Sequence, residues 1–210
     1  MPRTRVFDLL HRRYEAWFER HHAAYWSELL ALRALLPWQG VGLEVGVGTG
    51  RFAGPLGVQV GVDPSEPMLA YAARRGIRVV RGVAEALPFA DGTFDAVLVV
   101  TTICFVDDPR AMLDEARRVL RPGGHLVVGF IDRESAAGRG YLARQADSAF
   151  YREATFYSAR EVARLLAEAG FRSLTWGQTL GAPPEALSEP EPLRAGYGHG
   201  AFVVVRGTRP

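Results

Sequence analysis

The chain has 210 residues, 48% of them hydrophobic, and its 25 basic and 23 acidic side chains leave a net charge of only +2. A chain of this size buries one complete core but hardly two, so we expect a single domain. Every basic residue is arginine, which excludes a Schiff-base lysine, and no basic run is interleaved with aromatic residues as in a nucleic-acid-binding protein.

Residues 1–36 are predicted to form a helical cap, because their apolar side chains recur at helical spacing until Pro37. Tyr14, Trp17 and Phe18 form an aromatic stripe at positions i, i+3 and i+4 of this cap. Such a stripe either packs into the core or covers a ligand as a lid.

Short apolar strands alternate with helical segments over residues 37–131, which is typical of a parallel sheet with crossover helices. Ser65 marks the start of one helix, and Asp108 followed by Pro109 marks another. The sequence therefore predicts a doubly wound α/β sheet. Its strands are expected at residues 41–45, 58–63, 78–81, 95–101 and 125–131.

The pattern is less regular over residues 132–210. Ser158 and Glu161 have the spacing of a capping box, and the helix that they open is predicted to end at Gly170. Two more strands are expected at residues 171–175 and 201–205. Residues 132–157 are too irregular to assign.

Cys104 is the only cysteine and lies in an apolar stretch, so packing is its expected role. A lone cysteine forms no internal disulfide, and no apolar segment approaches the ~18 residues of a membrane helix. The first residues carry too much charge for a signal peptide. These features predict a cytoplasmic protein without membrane contact, and the sequence does not indicate an oligomeric state.

A glycine loop follows the first predicted strand, with Glu44 two positions before the first of the glycines Gly46, Gly48 and Gly50. Such a loop lets a small molecule approach the backbone closely, and most loops of this kind hold a diphosphate. Glu44 argues against a diphosphate, because like charges about 4 Å apart repel by roughly 4 kcal/mol at an effective dielectric constant near 20. The loop therefore favours a cationic ligand.

Asp63 ends the second predicted strand, nineteen positions after Glu44. A carboxylate at this place in a βαβ unit can accept hydrogen bonds from both vicinal hydroxyls of a nucleoside sugar. The predicted ligand is a nucleoside without phosphates. S-adenosylmethionine, an adenosine that carries a sulfonium and an ammonium group, has this chemistry.

The chain resembles the class I S-adenosylmethionine-dependent methyltransferases of the small-molecule type called type 11. The glycine loop, Asp63 and residues 84–89, 94–97 and 120–124 fall in the order and spacing of that family. The resemblance implies a Rossmann-like sheet, mostly parallel with an antiparallel last strand. It also implies methyl transfer from S-adenosylmethionine to a nitrogen, oxygen or carbon atom of a small-molecule acceptor.

The resemblance divides the single domain into the cap, a cofactor-binding half at residues 37–131 and a substrate-side half at residues 132–210. The connection 176–200 is then expected at the ligand-binding edge. Candidates for the acceptor pocket are Tyr141, Phe150, Tyr151 and Arg152.

The resemblance also implies roles for individual residues at the donor. Gly46, Gly48 and Gly50 are expected to approach it closely, Glu44 to lie at its cationic methionine end, and Asp63 to bind its ribose.

Adenine recognition departs from the family pattern, because Val83 stands where similar enzymes carry an acidic residue after Gly82. Either Glu85 replaces that residue or backbone groups of Ala84 and Glu85 suffice. Glu85 also suits a solvated charge at a helix start. Met68 is expected on the adenine, although a methionine on a helix that faces the sheet also suits the core.

Three further residues have a functional and a structural interpretation. Thr101 ends the fourth strand and is expected to form a hydrogen bond with the methionine moiety. Alternatively, threonine occurs there only because it favours β-strands. Tyr14 is the preferred lid contact, because a ring beside a sulfonium gains cation–π attraction. His199 lies in a glycine-rich turn and is a candidate general base, or only part of that turn.

No metal site is expected, because Asp107 and Asp108 lack a third ligand and Asp108 suits a helix cap. Two other functions stay open. A nicotinamide-dependent oxidoreductase is one, since residues 48–53 match the looser G-x-G-x-x-A pattern. The other is a protein that binds S-adenosylmethionine without catalysis, since no catalytic side chain stands out.

Overall fold

A single mixed sheet lies at the centre of the computed structural model, which describes residues 5–36 and 39–210. Its eight strands within those residues are Gly42–Val45 (β1), Val60–Asp63 (β2), Arg78–Arg81 (β3), Phe94–Val100 (β4), Leu120–Ile131 (β5), Arg172–Thr179 (β6), Arg194–Ala195 (β7) and Phe202–Thr208 (β8). The strand order is β3-β2-β1-β4-β5-β8-β6-β7. Strands β1 to β5 pair in parallel, and β8, β6 and β7 continue the sheet in antiparallel pairs, as the family resemblance implied.

Helices cover both faces of this sheet. They are Arg5–Arg20 (α1), His22–Leu35 (α2), Ala53–Leu56 (α3), Glu66–Arg74 (α4), Pro109–Val119 (α5), Gly138–Ala143 (α6) and Ala159–Glu168 (α7), and two short 3₁₀ turns lie at Gln145–Asp147 and Pro184–Ala186. Helices α5 and α7 contribute to the core on one face, whereas α2 and α4 contribute to the core on the other.

The central strands bury side chains on both faces, because successive residues of a strand point in opposite directions. In β4, Val97 and Val99 join the core with α5 and α7, while Leu98 and Val100 join the core with α2 and α4. This arrangement explains why the strand is an almost continuous apolar run rather than an alternating one.

The predicted helix caps are confirmed. The Ser65 hydroxyl accepts a hydrogen bond from the backbone N–H of Met68, and the Asp108 carboxylate accepts from Arg110 and the next residue. Ser158 and Glu161 form both halves of the capping box. These local signals fix where α4, α5 and α7 begin, and thereby the directions in which the chain returns to the sheet.

Three details differ from the sequence prediction. The helical cap is two helices, which break at His21, while Pro37 lies outside the described residues. The connection 82–93 contains no helix, so the alternation of strands and helices fails there. The short strand β7 was not predicted.

Helix α5 explains why the connection 82–93 needs no helix of its own. The Glu115 carboxylate accepts from the backbone N–H of Leu87, and the Arg118 guanidinium donates to the carbonyls of Leu87 and Phe89. Side chains thus satisfy backbone groups that a helix would otherwise pair.

Gly50 offers a test of how the glycine loop packs against α4. Its φ is +78°, and an added Cβ would lie 2.5 Å from Ile77 Cδ1 and 3.2 Å from Ala72 Cα. Gly57 has a similar φ of +74°, but its added Cβ meets nothing within 4 Å. We expect Gly57→Ala to cost about 1–2 kcal/mol of unfolding free energy for the left-handed conformation, and Gly50→Ala to cost about 1–3 kcal/mol more for overpacking.

Urea unfolding of the two variants and the parent measures this difference. Equal losses for both variants would contradict the packing role of Gly50.

Candidate active site

A cavity of about 450 Å³ opens at the carboxyl ends of β1, β2 and β4. This is the edge where open α/β sheets bind ligands, and the volume lies within the usual range of roughly 300–1,000 Å³ for small-molecule sites. The sheet side supplies the glycine loop and Asp63, while α1 and the segment 141–151 close the opposite side. The predicted donor residues that line this cavity are Gly46, Gly48, Asp63, Met68, Ala84, Glu85 and Thr101.

Asp63 is the buried carboxylate at the end of β2, with only 8% of its surface exposed. Its Oδ2 accepts from the backbone N–H of Gly48 at 2.9 Å, and its Oδ1 accepts from that of Ser65 at 2.8 Å. Burial raises the pKa of Asp63 to about 6, although both hydrogen bonds oppose the shift. Each oxygen keeps lone-pair capacity toward the cavity, which suits two ribose hydroxyls.

Gly46 and Gly48 line the cavity with φ values of +70° and +51°. A Cβ on Gly46 would overlap the Thr102 side chain. A Cβ on Gly48 would lie 3.5 Å from Met68 Cε and 3.7 Å from the Tyr14 hydroxyl. The space above Gly48 is therefore narrow, and glycine keeps it open for a ligand.

Gly50 does not line the cavity, because it faces α4 instead. The structure thus separates the three loop glycines into two at the cavity and one at a packing contact.

Glu44 lies outside the cavity wall and is only 2% exposed. Its carboxylate accepts a hydrogen bond from the backbone N–H of Ala53, at the start of α3. Its Oε2 has no hydrogen-bond partner within the described residues. Burial raises the pKa of Glu44 well above its ordinary value, and the nearby Asp63 charge adds to the shift. A direct contact between Glu44 and the methionine end of the donor stays a prediction.

The residues for which adenine recognition was predicted or discussed, Met68, Val83, Ala84 and Glu85, all line the cavity. The Glu85 carboxylate accepts from the backbone N–H of Asp107 at 2.8 Å, and no helix begins there, so its interpretation as a helix-start charge is wrong. Met68 is 2% exposed and contributes to both the cavity wall and the interior. Both proposed modes of adenine recognition are compatible with these positions.

Thr101 lies just beyond β4 and has a φ of +48°, which is uncommon for a residue other than glycine. Its backbone N–H donates to the carbonyl of Gly129 at 2.8 Å, so the neighbouring strand holds this conformation. β-Propensity alone does not explain Thr101, because a left-handed residue cannot continue a strand. Strained residues of this kind cluster at ligand sites.

Helix α1 lies across the donor side of the cavity. Its aromatic residues Tyr14, Trp17 and Phe18 all line the wall, and Phe18 is also buried in the core. Burial raises the pKa of Tyr14, and the charges of Glu44 and Asp63 add to this shift. The stripe thus serves both as core and as cover.

An ion-pair cluster fixes α1 to the glycine loop and to the end of α4. Glu15 is bonded to Arg51 at 2.8 Å and to Arg75 at 2.7 Å, and Arg51 also contacts Glu19 at 2.7 Å. The Glu15 side chain is 14% exposed, compared with 68% for Glu19. Glu15 is therefore the central member of this cluster.

His199 is exposed and does not line the cavity. Its backbone N–H donates to the Gln178 side chain, which holds the glycine-rich turn against β6. The part of connection 176–200 that reaches the cavity is Pro184 and Glu185 instead. The position of His199 gives no support to a role as general base.

The acceptor-pocket candidates Tyr141, Phe150 and Tyr151 line the cavity, whereas Arg152 does not. The sequence interpretation missed Glu28, a buried carboxylate of α2 that also lines the wall. The signal was available, because Glu28 falls on the same helical face as the apolar residues 25, 29 and 32.

Among the residues that the structure describes, no group of three or more histidine, cysteine or acidic side chains is arranged to hold a metal ion. In the same residues, no helix has the length and apolar character required to cross a membrane.

A family model described as a methyltransferase domain matches residues 43–128. The chain is similar to a crystal structure from Thermotoga maritima that is described as an S-adenosylmethionine-dependent methyltransferase and possible histamine N-methyltransferase. The two sequences are 51% identical, and the match covers 99% of this chain and 100% of that one with a TM-score of 0.96. An uncharacterised protein of Methanocaldococcus jannaschii is 42% identical over 95% of this chain and 97% of its own length. An uncharacterised protein of Mycobacterium tuberculosis is 45% identical over 81% of this chain, which spans 61% of that protein.

The chain belongs to the S-adenosylmethionine-dependent methyltransferases. It is an enzyme, and S-adenosylmethionine is its methyl donor. The residues present fit this donor, because the buried carboxylate of Asp63 and the narrow space over Gly48 meet in one cavity. Membership of this family removes the nicotinamide-dependent and the non-catalytic alternatives.

Asp63 provides a first test of the donor site. We expect Asp63→Ala to weaken binding of S-adenosylhomocysteine more than tenfold, because hydrogen bonds to a charged acceptor contribute roughly 1.5–3 kcal/mol each. In the parent protein, affinity should fall as the pH is lowered through about 6, since protonation removes the charge of Asp63. Calorimetric titration measures both effects, with the exposed surface variant Asp114→Asn as control. An unchanged affinity in Asp63→Ala would place the ribose elsewhere.

Glu15 provides a test of whether α1 covers the cavity. We expect Glu15→Ala to speed dissociation of S-adenosylhomocysteine about threefold to tenfold, because α1 loses its contacts with both Arg51 and Arg75. Glu19→Ala is the matched control, since it removes only an exposed contact with the same Arg51 and should change the rate little. Stopped-flow tryptophan fluorescence reports the rates through Trp17 in the cavity wall. Equal rates in both variants would show that α1 is not held by this cluster.

Proposed function

We propose that this enzyme transfers the methyl group of S-adenosylmethionine to a nitrogen, oxygen or carbon atom of a small molecule. One observation carries the proposal: a single cavity joins the donor residues Gly48 and Asp63 to an aromatic wall that includes Tyr141, Phe150 and Tyr151. A small acceptor with apolar surface fits such a wall, whereas a nucleic acid would need a charged, open groove.

The bound donor supplies a methyl group that is already activated on a sulfonium sulfur. The chain therefore mainly has to align two reactants and exclude water, and alignment alone can lower a barrier by roughly 7–11 kcal/mol. Asp63 and the glycine loop position the nucleoside in this scheme. Thr101 and residues 102, 105 and 106 of the loop following β4 line the same cavity, where the acceptor atom is expected.

The aromatic wall is continuous across elements far apart in the chain. Phe7 of α1 contacts the ring of Phe105 at 5.0 Å and that of Phe150 at 5.7 Å, and Phe105 stacks on Tyr151 at 6.0 Å between centroids. These contacts link α1, the loop after β4 and the segment 141–151. Together they enclose the site and exclude water from the reacting atoms.

The activity is tested with methyl-labelled S-adenosylmethionine and a panel of amines, phenols, quinone precursors, oligonucleotides and unfolded protein. We expect label in at least one small molecule and none in the polymers, and we expect Asp63→Ala to abolish the signal. Label found only in nucleic acid or protein would contradict the proposal.

A comparison of Tyr14 with Phe18 tests whether α1 residues cover the cavity or pack into the core. We expect Tyr14→Ala to lower turnover at least tenfold and to cost less stability than Phe18→Ala, because the Tyr14 ring lines the cavity in addition to contacting Phe18 and Phe150. Phe18→Ala should cost roughly 3–5 kcal/mol, as is typical of a buried aromatic residue. Steady-state kinetics and urea unfolding measure the two effects, and Tyr14→Phe should keep most of the activity. A large loss of stability with normal turnover in Tyr14→Ala would assign Tyr14 to the core.

A further inference from the structure

Glu28 is a carboxylate in the cavity wall that the donor contacts leave unused. It lies on α2 with 5% of its surface exposed, and it lines the same cavity as Asp63. Its side chain makes no hydrogen bond or ion pair with any other residue in the ranges 5–36 and 39–210. Glu28 lines the cavity, and its oxygens are not among the fully buried side-chain atoms without a partner. The carboxyl group is therefore available to a ligand in the cavity.

The surroundings of Glu28 are aromatic. Burial raises the pKa of Tyr14, Tyr141 and Tyr151, and the charge of Glu28 adds to the shift of each. These tyrosines therefore lie within electrostatic range of Glu28 from three different segments. A carboxylate among aromatic rings is the environment that binds an organic cation, through a charge pair and cation–π attraction together.

Other charged groups near the cavity are more exposed than Glu28. Five exposed charged residues also line the cavity: Arg13, Arg20, Arg144, Asp147 and Glu185. Salt and water screen such exposed charges, whereas the interaction of Glu28 with a bound cation is screened much less. The buried carboxylate therefore outweighs the exposed charges in selecting the charge of an acceptor.

Resting on the proposed function, we propose that the acceptor is an amine with an aromatic or apolar body, and that Glu28 binds its ammonium group and takes its proton. The amine nitrogen then uses the freed lone pair to form the N–CH₃ bond as the S–CH₃ bond breaks. The products are the methylated ammonium and S-adenosylhomocysteine. The proton removed from the amine stays on Glu28 until it passes to solvent, so atoms and charge balance.

The titration of Glu28 suits this role. Burial raises its pKa to about 8, which brings it closer to that of an alkylammonium group than an ordinary carboxyl would be. At pH 7 the free site therefore holds a proton on Glu28, and the amine in solution holds its own. When the amine binds, Glu28 and the amine nitrogen share one proton between them. Binding an amine at pH 7 therefore releases close to one proton.

The test uses protein saturated with S-adenosylhomocysteine and three probes, benzylamine, phenethylamine and tryptamine. Calorimetric titration measures their affinity, and repetition in buffers of different ionisation enthalpy measures proton release. Phenethyl alcohol and 3-phenylpropanoate serve as the neutral and the anionic counterparts of phenethylamine. The variant is Glu28→Gln, and Glu185→Gln is the matched control for an exposed carboxylate at the same cavity.

We expect at least one amine to bind the parent protein and to release close to one proton at pH 7 and almost none at pH 9. Glu28→Gln should bind that amine at least tenfold more weakly and release no proton. It should keep its affinity for S-adenosylhomocysteine within about threefold, which also shows that it is folded. Glu185→Gln should bind the amine within about twofold of the parent.

Four results would overturn the role of Glu28. They are no amine binding by the parent, equal binding of phenethylamine and its alcohol, preferential binding of the acid, and unchanged amine affinity in Glu28→Gln. A parent protein that fails to bind S-adenosylhomocysteine would contradict the donor site itself. Failure of the proposed role of Glu28 is therefore distinguishable from failure of the proposed function.

Discussion

The carboxylate of Asp63 holds together the edge of the sheet on which the site depends. It accepts one backbone N–H from the glycine loop and one from the turn that opens α4, while Gly46 and Val47 donate to the carbonyl of Val62. Two strands and one helix thus meet at a single buried side chain. Because its oxygens also face the cavity, the group that orders the loop is available to bind a sugar.

Three buried carboxylates surround the cavity, and burial raises the pKa of each. Asp63 and Glu28 face the interior of the cavity, whereas Glu44 lies behind the loop. The folded protein keeps protons on these groups at pH values where the unfolded chain has released them. Their contribution to stability therefore falls as the pH rises from their ordinary pKa values through the raised folded ones.

The cover of the site combines two kinds of contact with different consequences. Aromatic rings from α1, the loop after β4 and the segment 141–151 provide an apolar enclosure. The ion pairs of Glu15 with Arg51 and Arg75 fix α1 to the glycine loop and to the end of α4. Such pairs at a partly exposed surface are weak individually, so the position of α1 depends on the ion pairs and the aromatic contacts together.

The sequence by itself determined the elements whose signals are local. Apolar periodicity located the strands, and side-chain chemistry located the caps at Ser65, Asp108 and Ser158. The loop before Asp63 predicted a nucleoside site at this edge of the sheet. Each of these signals depends on residues within a few positions of one another, because helix caps and turns are formed by neighbouring backbone groups.

Only the tertiary structure decided which side chains meet in the cavity. Periodicity shows that a residue is buried but not what it is buried against, so Glu28 appeared as one position on an apolar helix face. For the same reason the sequence did not show that Glu44 lies behind the loop or that His199 lies away from the cavity. It also did not show that Phe7, Phe105 and Tyr151 form one wall. Contacts between distant segments arise from packing of the whole sheet, and no local pattern encodes them.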